Sequence, residues 1–178
     1  MTSVCVYMGA RDGNSLQWRD IASHTGRRIA ERGWRLVYGG GSTGLMGACA
    51  DGALAAGGEV VGVIPDALVD KEVGHQGLTE LIQVPDMHVR KATMSRLSDG
   101  FIALPGGIGT FEELFESWTW SYLNIHDKPV GLYNAQGFFD PLLEFLDKTS
   151  QHGFMSQATR QSLLCETDID TLLGRMLG

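Results

Sequence analysis

Gly100-Phe101-Ile102-Ala103-Leu104 runs directly into Pro105-Gly106-Gly107-Ile108-Gly109-Thr110-Phe111-Glu112-Glu113, and from there into Leu114-Phe115-Glu116-Ser117-Trp118. A short apolar run, a proline–glycine break and then a long segment rich in apolar residues read as a buried strand, a tight loop and a helix. The same unit recurs on both sides. Upstream, strands are expected at Ser3–Gly9, Leu36–Tyr38, Val60–Ile64 and Leu81–Val84. Helices are expected from a cap at Asn14 or Ser15 to near Gly33, over Leu45–Ala56, and over His88–Ser98. Downstream, Val130–Tyr133 reads as a strand, Phe138–His152 as a helix, and a last strand near Leu163 precedes a short helix from Asp168. Apolar strands separated by helices imply a parallel sheet covered on both faces. The expectation is an α/β, doubly wound Rossmann-like parallel sheet flanked by helices on both faces, forming a single nucleotide-binding domain over residues 1–178. The one long irregular stretch, Pro65–Leu78, is placed as a loop folding over the site.

Composition narrows the function. Among 178 residues, 21 are acidic and 14 basic, a formal charge of −7. A field of that sign argues against nucleic acid or an anionic membrane as partner. Hydrophobic residues make up 43% of the chain, enough for a core, and 24 glycines are about twice the usual share. Glycine without periodicity points to backbone brought close to a ligand, phosphate first. Cys5, Cys49 and Cys165 form no CxxC pair, which suits a reducing cytoplasm. Met1 leads into the first strand with no basic leader, and no apolar run is long enough to span a bilayer. His24, His75, His88, His126 and His152 show no ligand spacing, so neither a metal nor a cofactor is called for.

In a doubly wound sheet, ligands sit beyond the carboxyl ends of the strands. Three segments lie there: Gly9-Ala10-Arg11, Gly39 to Gly47, and Pro105 to Glu113. Gly39, Gly41 and Gly44 satisfy G-x-G-x-x-G, but after the second strand rather than the first, which disfavours a nicotinamide dinucleotide. The Pro105–Glu113 loop offers free amides to an anion. Thr110 and Glu113 have the spacing of a capping box, in which Glu113 would reach back to the helix start. A carboxylate beside an anion site also suits a ligand that develops positive charge, such as a ribosyl cation. Arg90, Lys91 and Arg96 add a cluster of cations just upstream, placed to hold a phosphate while Glu113 addresses the sugar.

These residues resemble the LOG (Lonely Guy) family of cytokinin-activating phosphoribohydrolases. The family pattern PGGxGTxxE is matched by Pro105, Gly106, Gly107, Gly109, Thr110 and Glu113, the upstream arginine–lysine pair by Arg90-Lys91, and GGGxxGLMG by Gly39 through Gly47. The similarity runs from Val4 to about His152. It implies hydrolysis of the N-glycosidic bond of N6-substituted adenosine 5′-monophosphates, and of AMP, to free base and ribose 5-phosphate. It implies Arg90 and Glu113 as the catalytic pair. Substrate contacts are implied at Glu72, Arg90, Lys91, Gly107, Ile108, Gly109, Thr110, Phe111, Glu112, Glu113 and Thr119, with a backbone loop around Gly9, Gly40, Gly41, Gly44 and Met94. It further implies a homodimer with the site near the subunit interface. The family often has a serine after its first strand, where this chain has Ala10 and then Arg11. The older family label, lysine decarboxylase, finds no lysine in a recognisable cofactor setting among Lys71, Lys91, Lys128 and Lys148. The competing reading is a non-catalytic nucleotide or cofactor carrier on the same fold, like the molybdenum-cofactor carriers.

Overall fold

The computed structural model describes residues 1–178. Seven strands form one sheet: β1 (Ser3–Tyr7), β2 (Arg35–Tyr38), β3 (Val60–Pro65), β4 (Glu80–Val84), β5 (Gly100–Ala103), β6 (Val130–Tyr133) and β7 (Leu163–Glu166). All neighbours run parallel in the order β4-β3-β2-β1-β5-β6-β7. The helices are α1 (Leu16–Glu31), α2 (Gly44–Ala55), α3 (Val69–Glu72), α4 (Met87–Leu97), α5 (Ile108–Tyr122), α6 (Asp140–Gln151), α7 (Gln157–Ser162) and α8 (Ile169–Leu177).

Alternation along β1 shows the two layers. Val4, Val6 and Met8 point into a cluster with α1, α2 and α8, while Cys5 and Tyr7 point into a second cluster with α4, α5 and α6. Strands buried on both faces need apolar residues at every position, which is why β1, β3, β5 and β6 read as continuous apolar runs. The edge strand β4 is exposed or half-buried over most of its length. Caps fix several helix starts: Ser15 Oγ accepts from Gln17 N (3.3 Å), Asp86 Oδ1 from Val89 N (2.9 Å) and Asp168 Oδ1 from Thr171 N (2.8 Å). The chain builds outward from β1 to β4 on one side and then restarts with β5 on the other. Val4 pairs with Gly100 and Tyr7 with Ala103, so the strand order reverses between β1 and β5. A crevice opens beyond their carboxyl ends.

Candidate active site

A cavity of about 720 Å³ occupies that crevice, walled by the β1 end (Tyr7–Gly13), the β5–α5 loop (Pro105–Thr110), Gly39 after β2, and side chains from α4 and α5. The β1 and β5 loops are stitched together, Leu104 N donating to Tyr7 O (2.9 Å) and Gly9 N to Pro105 O (3.2 Å). Helix α5 begins at Ile108, two residues before Thr110, where the sequence pattern places the start of a helix running to Leu123. Its N-cap is Gly107, which supplies no side-chain hydrogen bond. The expected Thr110–Glu113 capping box therefore does not form. Thr110 is instead the buried third helical residue, its hydroxyl packed against Gly106 so closely that a Cβ there would overlap it. The first intrahelical bond runs from Phe111 N to Gly107 O (3.1 Å), leaving the amides of Ile108, Gly109 and Thr110 without a protein acceptor at the cavity wall.

Freed from capping, Glu113 lines the cavity and accepts no hydrogen bond from the protein. Burial pushes its pKa up to about 7; the nearby Arg90 opposes that shift, while Glu112 and Glu72 add to it. Beneath it, Tyr7 Oη and Ser117 Oγ share a hydrogen bond (2.7 Å), and burial raises the Tyr7 phenol well above its ordinary value.

Arg90 is 4% exposed, and its guanidinium is almost fully committed. Nε donates to Val63 O (3.0 Å), and Nη2 to Gly39 O (2.7 Å) and to Glu72 Oε2 (2.9 Å). Only Nη1 remains, with the Met87 thioether as its one neighbour at 3.8 Å. Gly39 makes this possible, because a Cβ there would collide with the guanidinium. Glu72 arrives on the segment expected to be an irregular loop, which forms a short 3₁₀ turn and α3. Ser42 N donates to Glu72 O (3.1 Å) and Val73 O (2.9 Å), and His75 N to Gly40 O (2.9 Å). Val73 is left-handed at φ 49°, a strained geometry for a β-branched side chain.

The cavity wall thus includes Arg90, Glu113, Glu72, Gly107, Ile108, Gly109, Thr110, Glu112, Gly9 and Met94. Other expected contacts lie outside it. Lys91 bridges Glu112 (2.5 Å) and Glu116 (2.8 Å), so it ties α4 to α5 instead of offering a free cation. Phe111 turns towards the α5 side of the core. Gly40 faces Ile64 and Leu81, Gly41 accepts a hydrogen bond from Tyr38 Oη (2.9 Å), and Gly44 packs on the Ala10–Arg11 backbone; all three serve chain packing. Thr119 opens onto a separate groove with Phe115, Trp118, Tyr122 and Phe154. The flagged Gly9-Ala10-Arg11 segment lies on the wall, while sequence reading passed over Asp12, Trp18, Leu68, Met87 and Phe138 there. Only the position of Asp12 next to that strand end was a usable signal.

An anion-seeking helix start, a desolvated acid and a buried arginine at the switch point of a parallel sheet define a nucleotide-binding enzyme of the Rossmann-like class. The family model described as "Possible lysine decarboxylase" matches residues 46–176. The chain is 48% identical over 169 residues to the cytokinin riboside 5′-monophosphate phosphoribohydrolase of Rhodococcoides fascians, covering 94% of this chain and 85% of that one. It is 46% identical over 170 residues to the cytokinin riboside 5′-monophosphate phosphoribohydrolase LOG2 of Arabidopsis thaliana, covering 96% and 80%. The protein belongs to the LOG family. The fold is also that of the Moco carrier protein from Chlamydomonas reinhardtii, with a TM-score of 0.72, 21% identity and coverage of 98% and 94%.

Proposed function

We propose that the protein hydrolyses the N-glycosidic bond of N6-substituted adenosine 5′-monophosphates, and of AMP, releasing the base and ribose 5-phosphate. The observation that carries this reading is Glu113, a desolvated carboxyl group with no protein partner in the cavity wall. As the C1′–N9 bond breaks, its electron pair leaves with the purine and the ribosyl carbon becomes electron-poor. Water adds at C1′ and loses a proton, while the purine takes one up. An ionised Glu113 lowers the energy of the ribosyl cation and orients or deprotonates that water. Arg90 contributes hydrogen bonds rather than a proton, as a guanidinium does. It fixes Glu72, and its free Nη1 is available to the sugar or phosphate.

Lysine decarboxylation has no support in the site. None of the four lysines lines the cavity: Lys91 is tied to two glutamates, Lys128 donates to Ser95 O, Lys148 pairs with Glu144, and Lys71 is exposed. Two further properties belong to the proposal. The functional unit is a homodimer built on the groove beside Thr119, where Tyr122 and Phe154 are exposed. The compartment is the cytoplasm, supported by three unpaired thiols and by the lack of any helix long and apolar enough to cross a membrane. The deciding experiment is incubation with isopentenyladenosine monophosphate, AMP and the unphosphorylated riboside, followed by chromatography. Free base from the monophosphates is the expected result. Tight binding with no base released identifies a carrier instead.

A further inference from the structure

Of the cations expected to hold a phosphate, Arg96 lies outside the cavity and the other two are largely committed to protein partners. Lys91 is spent on Glu112 and Glu116, and three of the four donor contacts of Arg90 end on Val63 O, Gly39 O and Glu72. The cavity wall meanwhile carries four acids, Asp12, Glu72, Glu112 and Glu113, against two arginines, Arg11 and Arg90. A nucleotide monophosphate brings up to two more negative charges into that field, and the amides of α5 alone do not reverse it.

Arg11 is the uncommitted partner. It lines the cavity, is exposed, and makes neither an ion pair nor a hydrogen bond; its neighbour Asp12 is taken by Arg19 at 2.6 Å. Its backbone is nevertheless fixed. Gly44 lies against the Ala10–Arg11 peptide so tightly that any Cβ would overlap it, Thr43 Oγ1 donates to Ala10 O (3.3 Å), and Gly9 abuts the Cα of Gly106. The structure therefore presents a free guanidinium from a tightly packed loop on the wall of the same cavity as the unpaired amides of Ile108, Gly109 and Thr110. A fixed backbone with a free planar fork of donors suits bidentate recognition of a phosphate.

We infer that Arg11 reads the 5′-phosphate and is the residue by which this cavity takes a nucleotide in preference to its riboside. The inference rests on the hydrolase reading for its substrate class and deepens it. The test compares wild type with Arg11→Ala, Arg11→Lys and the control Arg27→Ala, which removes an exposed arginine of α1 outside the cavity. KM and kcat are measured on AMP and on adenosine, and ribose 5-phosphate and AMP are titrated calorimetrically. Arg11→Ala is expected to raise KM for AMP by about tenfold to a hundredfold, the loss of a charge-assisted pair, with kcat changed less than about threefold. Weakened ribose 5-phosphate binding, unaltered turnover of adenosine, an intermediate Arg11→Lys and a silent Arg27→Ala complete the expected pattern. An unchanged KM for AMP, or an equal loss on adenosine, overturns the assignment. A wild type that binds AMP without releasing adenine sinks the hydrolase reading alone, and Arg11→Ala must then still lose AMP affinity for the inference to stand. A wild type that binds no monophosphate overturns both.

Discussion

Glu113 concentrates the chemistry at the scale of a single residue, and its environment makes opposite demands on activity and stability. Burial raises its pKa from 4.5 to about 7 because no protein donor stabilises the charged form. The ionised form is the active one, so kcat/KM is expected to fall about tenfold per pH unit below about pH 7 and to level off above it. Replacement by glutamine keeps the shape and removes the charge. Glu113→Gln is expected to lower kcat by about a hundredfold to a thousandfold at pH 8 and to abolish the pH dependence through neutrality. Stability should move the other way. A folded pKa raised above the unfolded value costs nothing below pH 4.5; the penalty for burying the carboxylate grows between 4.5 and about 7 and is constant above. The span corresponds to an upper value on the order of 3 kcal/mol at about 1.4 kcal/mol per pH unit. Thermal melts of Glu113→Gln should therefore lie above wild type at pH 8, and the gap should close towards pH 4.5. A variant that melts lower at pH 8 with turnover intact would show the carboxylate to be structural.

Elements act through the places where their ends meet. The end of β2, the first turn of α4 and α3 converge on the Arg90 guanidinium, and Gly39 is where they have no spare room. Gly39→Ala is expected to displace Arg90 and strand its hydrogen-bond partners. The cost should be about 2–3 kcal/mol, or roughly 5–10 °C in Tm for a domain of this size, with base release largely lost. Calorimetry and a base-release assay check both, and an unchanged Tm would mean that the loop yields freely. The same convergence marks the limit of what sequence could reveal. Strands and long helices were legible to within one or two residues, because apolar runs and side-chain caps such as Ser15, Asp86 and Asp168 are local signals. Helix α5 begins early because Gly107 caps it with backbone alone, leaving Thr110-x-x-Glu113 as a misleading match. Helix α6 begins late, at Asp140, because Asn134 Oδ1 accepts from Phe139 N and its Nδ2 donates to Asp140 Oδ1, both at 2.7 Å. Short α3 and α7 carry no periodicity to read. The motif residues of the site were visible, but the acceptors of Arg90 lie 27 and 51 positions away, and no local pattern announces such partners.

At the scale of the whole molecule, the outer side of α5 gives the best reason to expect a second copy. Tyr122, Leu123 and Ile125 are more than half exposed at and beyond its end, and Phe154 is 87% exposed across the groove that holds Thr119. Apolar surface gathered at one groove is costly in water, and a twofold axis covers it economically, since each copy offers the patch its partner needs. A stable dimer hides about 800 Å² per copy around a few large side chains, and tyrosine and phenylalanine are favoured in that role. Phe154→Glu leaves the isolated fold nearly untouched, because the side chain is already in solvent, yet it sets two carboxylates facing the contact in the dimer. Sedimentation at micromolar concentration should show wild type at twice the chain mass and Phe154→Glu at the single mass. Wild-type Tm should rise with protein concentration while that of the variant stays flat, since association stabilises only the folded dimer. A wild type that sediments as a monomer at these concentrations would refute the assignment of the groove, and with it any part for Thr119 across the contact.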